Sequence, residues 1–262
     1  MDVIQIEDPD DPRFRQFRLN ERGLASRADK RDDAGAGMFL AEGDLVVERA
    51  LEAGCLPVAA LIDIDRIPTV AAQLDCPVYG GGISVRSVVA QLGVPLSIIA
   101  LFHRPARPTV AQLAATSERL VIVEAVDNPS NIGSIIRNAA ALDWDGLILD
   151  HTSADPLARR SLRVGMGTVF SLPHARTTNL AGELRRLSGF ELYAMTPDPS
   201  AATLDSVVPG EHVAVIIGSE RSGLSDELLD LATPVRIPMA AGVDSLNAAA
   251  ATAVACYALA RR

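Results

Sequence analysis

Two aliphatic runs, Leu120–Val126 and Val213–Ile217, constrain this chain more than any other feature; the first is broken only by Glu124 and the second not at all. A half-buried strand alternates apolar and polar residues, so runs like these demand cover on both faces, as in a parallel sheet wrapped by helices. Segments 146–150, 191–195 and 235–237 read as further strands. Segments 131–142, 179–187, 224–231 and Leu246–Ala260 read as helices. This alternation predicts an α/β fold with a mostly parallel sheet. The N-terminal half repeats it on a smaller scale. Glu42–Ala53, Thr69–Leu74 and Val85–Leu92 read as helices, and Val58–Ile64, Pro77–Tyr79 and Ser97–Phe102 as strands. The two prolines in His103–Pro108 then mark a linker, because proline disfavours helix and carries no amide donor. The predicted organisation is a polar, basic arm over 1–37, a small α/β domain over 38–103, a linker over 104–118 and a larger α/β domain over 119–262.

Composition narrows the function classes. Hydrophobic residues make up 48% of the 262 positions, enough for two cores, but aromatics only 4%, so those cores must be aliphatic. A net charge of −9 argues against a protein that coats nucleic acid without selectivity. It leaves room for local basic patches, and there are two. One is Arg13, Arg15, Arg18, Arg22, Arg27, Lys30 and Arg31 in the arm; the other is Arg159, Arg160 and Arg163. Either patch is a phosphate-binding surface or a solvated face. Lys30 is the only lysine, so phosphate contacts fall to guanidinium groups, which grip phosphate bidentately. Cys55, Cys76 and Cys256 lack metal-ligand spacing, and no metal is expected. The first residues are acidic, unlike a secretory leader, and the longest uncharged stretch falls short of the roughly 20 residues a bilayer needs. A cytoplasmic protein without a membrane partner is expected.

Three short polar loops follow the aliphatic runs. The first is Asn128-Pro129-Ser130-Asn131-Ile132-Gly133, leading to Arg137-Asn138. The second is Gly218-Ser219-Glu220-Arg221-Ser222-Gly223-Leu224. The third is Ile237-Pro238-Met239, followed by Ser245-Leu246-Asn247. Ligands of parallel α/β sheets bind at loops leaving the carboxyl ends of strands. Ser130 or Asn131 is expected to cap the first helix, and Ser245 or Asn247 the last. Arg137, in an otherwise apolar helical stretch, needs either a ligand or a salt bridge. Gly218 lets a ligand approach the backbone closely. Glu220 beside Arg221 reads first as a surface pair. Competing chemistries fail on residue type: there is no Gly-Lys-Ser/Thr phosphate loop, no G-x-S-x-G elbow and no H-E-x-x-H. A nucleotide-binding oxidoreductase is weakened because no G-x-G-x-x-G follows the first strand of the larger domain.

In order and together, the three loops resemble those of the SpoU/TrmH class of the SPOUT superfamily, over residues 119–262. A weaker similarity runs from Met38 to Arg104, where Phe39-Leu40-Ala41-Glu42-Gly43 resembles the start of the class's small RNA-binding domain. The resemblance implies methyl transfer from S-adenosylmethionine to a ribose 2′-hydroxyl, most simply in ribosomal RNA. It further implies a trefoil-knotted cofactor site in the C-terminal sheet, and a homodimer that completes the site. Residue by residue it implies donor contacts at Thr196, Gly218, Ile237, Met239 and Leu246. It implies catalytic or RNA contacts at Asn131, Arg137, Glu220, Ser245 and Asn247, and RNA phosphate contacts at Arg159, Arg160 and Arg163. One departure stands out: after Arg163 the class often has a small serine-bearing segment, and here the chain reads Val164-Gly165-Met166-Gly167. A tRNA 2′-O-methyltransferase, or an RNA-binding protein that has lost turnover, are the alternatives within the same fold.

Overall fold

The computed structural model describes residues 2–25, 37–91 and 93–260. Arg27, Lys30 and Arg31 of the basic arm, the side chain of Arg22, and Leu92 lie outside the described residues. The chain divides into two units, one made of residues 1–106 with 157–170 and the other of 107–156 with 171–262.

The first unit opens with β1 (Val3–Gln5) and the short α1 (Glu21–Leu24), then β2 (Met38–Glu42), α2 (Asp44–Glu52), β3 (Pro57–Asp63), β4 (Val78–Gly81), α3 (Ile83–Ala90) and β5 (Ile98–His103). Its sheet runs β1-β4-β3-β5-β2. The β1–β4 and β3–β4 pairs are parallel, whereas β5 is antiparallel to both β2 and β3. Residues 1–37 therefore do more than form a polar arm. β1 extends the sheet, and Phe14 and Phe17 are fully buried, with Phe14 edge-on to both Phe17 and Tyr79. Each of these phenylalanines buries a large apolar surface against the aliphatic core of this unit. Two of the arm's basic residues are internally compensated, Arg13 by Asp11 at 2.6 Å and Arg18 by Asp10 at 2.9 Å.

The second unit begins inside the expected linker. Thr109 and Gln112 form a reciprocal capping box for α4 (Val110–Ala114), which buries Val110 and Leu113 in this unit's core. Then come β6 (Arg119–Val123), α5 (Pro129–Ala141) and β7 (Gly146–Asp150). Residues 157–170, with α6 (Arg159–Val164), belong to the first unit, and α6 packs on β2. The second unit resumes with β8 (His174–Thr177), α7 (Leu180–Leu184), β9 (Glu191–Met195), β10 (Ala202–Thr203), β11 (Val213–Ile217), α8 (Asp226–Leu229), β12 (Thr233–Arg236) and α9 (Ala248–Ala258). The sheet order is β10-β12-β9-β11-β6-β7-β8, with every pairing parallel. Every residue of β6, β7 and β11 is buried, and only Arg119 at the start of β6 and Asp150 at the end of β7 are polar, as cover on both faces requires.

The alanines of α9 let it lie close against α5, and polar anchors fix the pair. Asn138 Nδ2 donates to the Ala249 carbonyl at 2.9 Å, and Trp144 Nε1 to that of Cys256 at 3.1 Å. Buried Arg119 donates to the carbonyls of Leu259, Gly210 and Glu211, tying the start of β6 to the end of α9. Burial pushes the thiols of Cys55 and Cys76 up to about 11 and that of Cys256 further. Among the described residues no group of acids, histidines and cysteines is arranged to hold a metal, and no helix is long and apolar enough to cross a membrane.

Candidate functional site

Because β9, β11 and β12 are parallel neighbours, their carboxyl ends emerge on one side of the sheet. The segments that follow them enclose a cavity of about 460 Å³, within the range of small-molecule sites. Thr196 lines it from the end of β9, Gly218 from the end of β11, Ile237 and Met239 from the end of β12, and Leu246 from the approach to α9. All five expected donor contacts thus face one space. Met195, Ile217, Leu224 and Leu229 add apolar wall. The Thr196 N–H donates to the Val235 carbonyl at 2.9 Å, which ties the β9 exit to β12.

Gly218 is required for a reason other than ligand approach. A Cβ there would stand 2.4 Å from the Gly223 carbonyl carbon and 2.6 Å from the Leu224 nitrogen. The returning end of its own loop occupies that space, and Gly223 makes the return with φ +66°. Glu220 and Arg221, at the loop's tip, are exposed, line the cavity and form no ion pair with each other, contrary to the surface-pair reading. Ser245 and Asp244 also line it.

The first loop is built differently from expectation. Asn128, not Ser130 or Asn131, caps α5: its side chain accepts from the Ser130 N–H, with Pro129 in the first helical turn, where a missing amide costs nothing. That frees Asn131, which is buried and accepts at Oδ1 from Asn247 Nδ2 at 3.1 Å. Asn247 meanwhile caps α9, its Oδ1 accepting from the Ala249 and Ala250 N–H groups. One hydrogen bond therefore joins the first polar loop to the third. Arg137 lies six residues beyond Asn131, about 120° round the helix. It is exposed, outside the lining of the cavity, and makes no hydrogen bond or ion pair among the described residues. Neither a salt bridge across the core nor a contact with Asn131 is present.

Beneath this loop lies Asp150, at the end of β7. Its carboxylate accepts from the N–H groups of Ala125, Thr152 and Ser153 and from both hydroxyls of Thr152 and Ser153. Burial opposes its ionisation, but these donors outweigh burial and hold its carboxyl below the usual carboxylate range. Ala125 sits at φ +54°, a strained value for alanine that this anchoring sustains.

The arginine cluster belongs to the first unit, and there Arg159 is committed. Its Nε donates at 2.9 Å to Glu42 Oε1, its Nη2 bonds the same oxygen, and it also donates to the Ala90 carbonyl at 2.7 Å. Arg163 stands 3.6 Å from the other Glu42 oxygen. A buried carboxylate needs such partners, and Arg159 compensates the charge of Glu42. Arg160 is exposed on the same short helix.

Sequence reasoning missed Asp244, which lines the cavity, and Glu124, whose carboxylate accepts from the Ser225 N–H and hydroxyl at the end of the 218–224 loop. For Glu124 the signal was available: a lone carboxylate closing a buried aliphatic run must find donors.

The SpoU rRNA Methylase family model matches residues 118–257. An uncharacterized tRNA/rRNA methyltransferase of Mycobacterium bovis is 37% identical, over 98% of this chain and 91% of that protein. The 23S rRNA (guanosine(2553)-2'-O)-methyltransferase RlmP of Bacillus subtilis is 29% identical, over 87% of this chain and 90% of its own. Among solved structures, an AdoMet-bound rRNA methyltransferase of Sinorhizobium meliloti superposes with a TM-score of 0.82 at 26% identity, over 98% of this chain and 97% of that one.

Proposed function

The chain belongs to the SpoU rRNA methylase family, and on that premise we propose that it transfers a methyl group from S-adenosylmethionine to a ribose 2′-hydroxyl of ribosomal RNA. The observation that carries this reading is the cavity at the ends of β9, β11 and β12, which gathers Thr196, Gly218, Ile237, Met239 and Leu246. Its chemistry suits the donor. Backbone groups of the three loops would hold the donor's polar ends, and Met195, Ile217 and Leu224 would supply the apolar wall against it. When bound, S-adenosylmethionine supplies an electrophilic methyl group. In this reading the three loops constitute the family's trefoil-knotted cofactor site.

Arg137 is the residue we assign to the acceptor. A guanidinium is always charged and does not serve as a proton acceptor at neutral pH. It instead clamps the phosphate beside the target nucleotide and orients the 2′-hydroxyl, a positioning effect worth several kcal/mol. Its exposure and lack of partners suit a residue that waits for substrate. The family resemblance implies a homodimer, in which a second copy of the chain would complete each donor site. Glu220 and Ser245 line the same cavity and would meet the acceptor, and the Asn131–Asn247 bond joins α5 to the start of α9. Arg160 and Arg163 serve RNA phosphates. Ribosomal RNA is favoured over tRNA by the separate first unit and by the near-full-length similarity to a 23S rRNA enzyme; such a substrate implies a cytoplasmic setting.

The test is transfer of labelled methyl to ribosomal RNA, to ribosomal precursor particles and to tRNA, with wild type and Arg137→Ala side by side. Wild type is expected to label ribosomal RNA. Arg137→Ala is expected to lose transfer at least about 100-fold with donor affinity unchanged, and Arg137→Lys to keep part of it. Normal turnover by Arg137→Ala would refute its assignment, and label confined to tRNA would replace the substrate.

A further inference from the structure

The loop 218–224 forms one wall of the cavity, and most of its hydrogen bonds are internal. The Gly223 N–H donates to the Ser219 carbonyl at 3.0 Å, and the Ser219 and Ser222 hydroxyls lie 2.8 Å apart. These bonds shape the loop but do not fix it to the sheet. Its attachment comes from Glu124, the first residue past β6, the strand that pairs with β11. The Glu124 N–H donates at 2.9 Å to the carbonyl of Ile217, where the loop departs. At the other end stands Ser225, whose N–H donates to one Glu124 carboxylate oxygen at 2.8 Å and whose hydroxyl donates to the other at 2.7 Å. The Ser225 carbonyl then accepts from the Leu228 and Leu229 N–H groups and so starts α8, which Ser225 does not cap with its own side chain. One residue of the neighbouring strand holds both ends of the loop.

We propose that Glu124 is a positioning residue for donor binding: by clamping Ser225 against the end of β11 it holds the 218–224 wall at the spacing the donor requires. The proposal rests on the reading of this cavity as the S-adenosylmethionine site. It concerns hydrogen-bond geometry rather than charge. A carboxylate near a cationic sulfonium has a competing role, direct electrostatic attraction, and the two roles separate on one substitution. In Glu124→Gln the amide oxygen still accepts from the Ser225 N–H, and the amide nitrogen donates to the Ser225 hydroxyl, which turns to accept. The clamp survives and the charge is lost. Glu124→Ala removes both.

Binding of S-adenosylmethionine to the 262-residue chain is measured by calorimetry for wild type, Glu124→Gln, Glu124→Ala and Ser225→Ala, with melting temperatures alongside. The clamp is partly solvent-exposed, so water softens its loss. Glu124→Ala is expected to weaken donor binding about fivefold, Ser225→Ala about twofold, and Glu124→Gln less than twofold. The loss in methyl transfer should be concentrated in KM for the donor. Glutamine as poor as alanine would overturn the clamp in favour of charge. A lowered melting temperature in Glu124→Ala with unchanged donor affinity would reduce Glu124 to a purely structural role and also overturn it. Wild type that binds no donor would instead overturn the reading of the cavity, and the proposal with it.

Discussion

Arg159→Ala is the perturbation whose cost the structure defines best. Glu42 keeps only 2% of its side-chain surface exposed, and Arg159, 19% exposed, supplies its two shortest contacts. For unit charges about 4 Å apart at an effective dielectric near 20, the attraction is about 4 kcal/mol. Measured losses on stripping one partner from a buried pair run at about 3–5 kcal/mol, mostly because the remaining charge is stranded. Arg163, 3.6 Å away on the other carboxylate oxygen, offsets part of that. The expected net loss is about 3 kcal/mol, or about 1.5 M in urea midpoint at a slope near 2 kcal/mol/M. Glu42→Gln should cost less, about 1–2 kcal/mol, because half-buried Arg159 can recover water. The double variant should then be more stable than Arg159→Ala alone, since the stranded charge is gone.

The chain also supplies its own way to localise the effect. Its one tryptophan, Trp144, is buried in the second unit, whereas the Glu42–Arg159 pair lies in the first. Urea unfolding followed by far-ultraviolet ellipticity reports both units, and tryptophan fluorescence reports one. Arg159→Ala should move the ellipticity transition down while the fluorescence midpoint shifts less. An Arg159→Ala protein within 0.5 kcal/mol of wild type, about the scatter of a neutral surface change, would refute the reasoning. So would a double variant no more stable than the single one.

Two further substitutions test the larger unit. Gly218→Ala forces a Cβ to within 2.4 Å of the Gly223 backbone, so the loop must shift; we expect about 1–3 kcal/mol of destabilisation, with donor affinity in calorimetry lowered at least about tenfold, and an affinity within twofold of wild type would show that the loop wall does not shape the site. Asp150→Asn removes acceptor capacity from a buried carboxylate and should cost about 2–3 kcal/mol at pH 7. Since the folded state holds the Asp150 carboxyl below its ordinary range, its stabilisation is fully present above pH ~4 and is lost as the pH falls further. The gap between wild type and Asp150→Asn in melting temperature should therefore narrow as the pH falls below ~4, and a gap that stays constant on acidification would refute the assignment.

Which of these features were legible in the sequence follows a physical division. Strands 146–150 and 213–217 have the bounds read from their aliphatic runs, because a strand buried on both faces admits little that is polar until it ends; strand 191–195 also has the bounds read, though it starts on the exposed Glu191. The cavity follows from the same fact: parallel strands that end together present their loops together. What escaped was each case in which a distant segment supplies the cover or the partner. Val3–Gln5 has no pattern of its own and becomes a strand because the β4 edge accepts it. Arg159 reads as one of three exposed cations until Glu42, 117 positions earlier, is seen to be buried beside it. Glu124 reads as an interruption in a strand until Ser225, 101 positions later, arrives with two donors. Glu124, a charge at the end of a buried strand, announced that a partner must exist, whereas Glu42 reads as the first residue of a helix and instead closes β2. Periodicity cannot name that partner, since it reports which face of an element is covered and not what covers it.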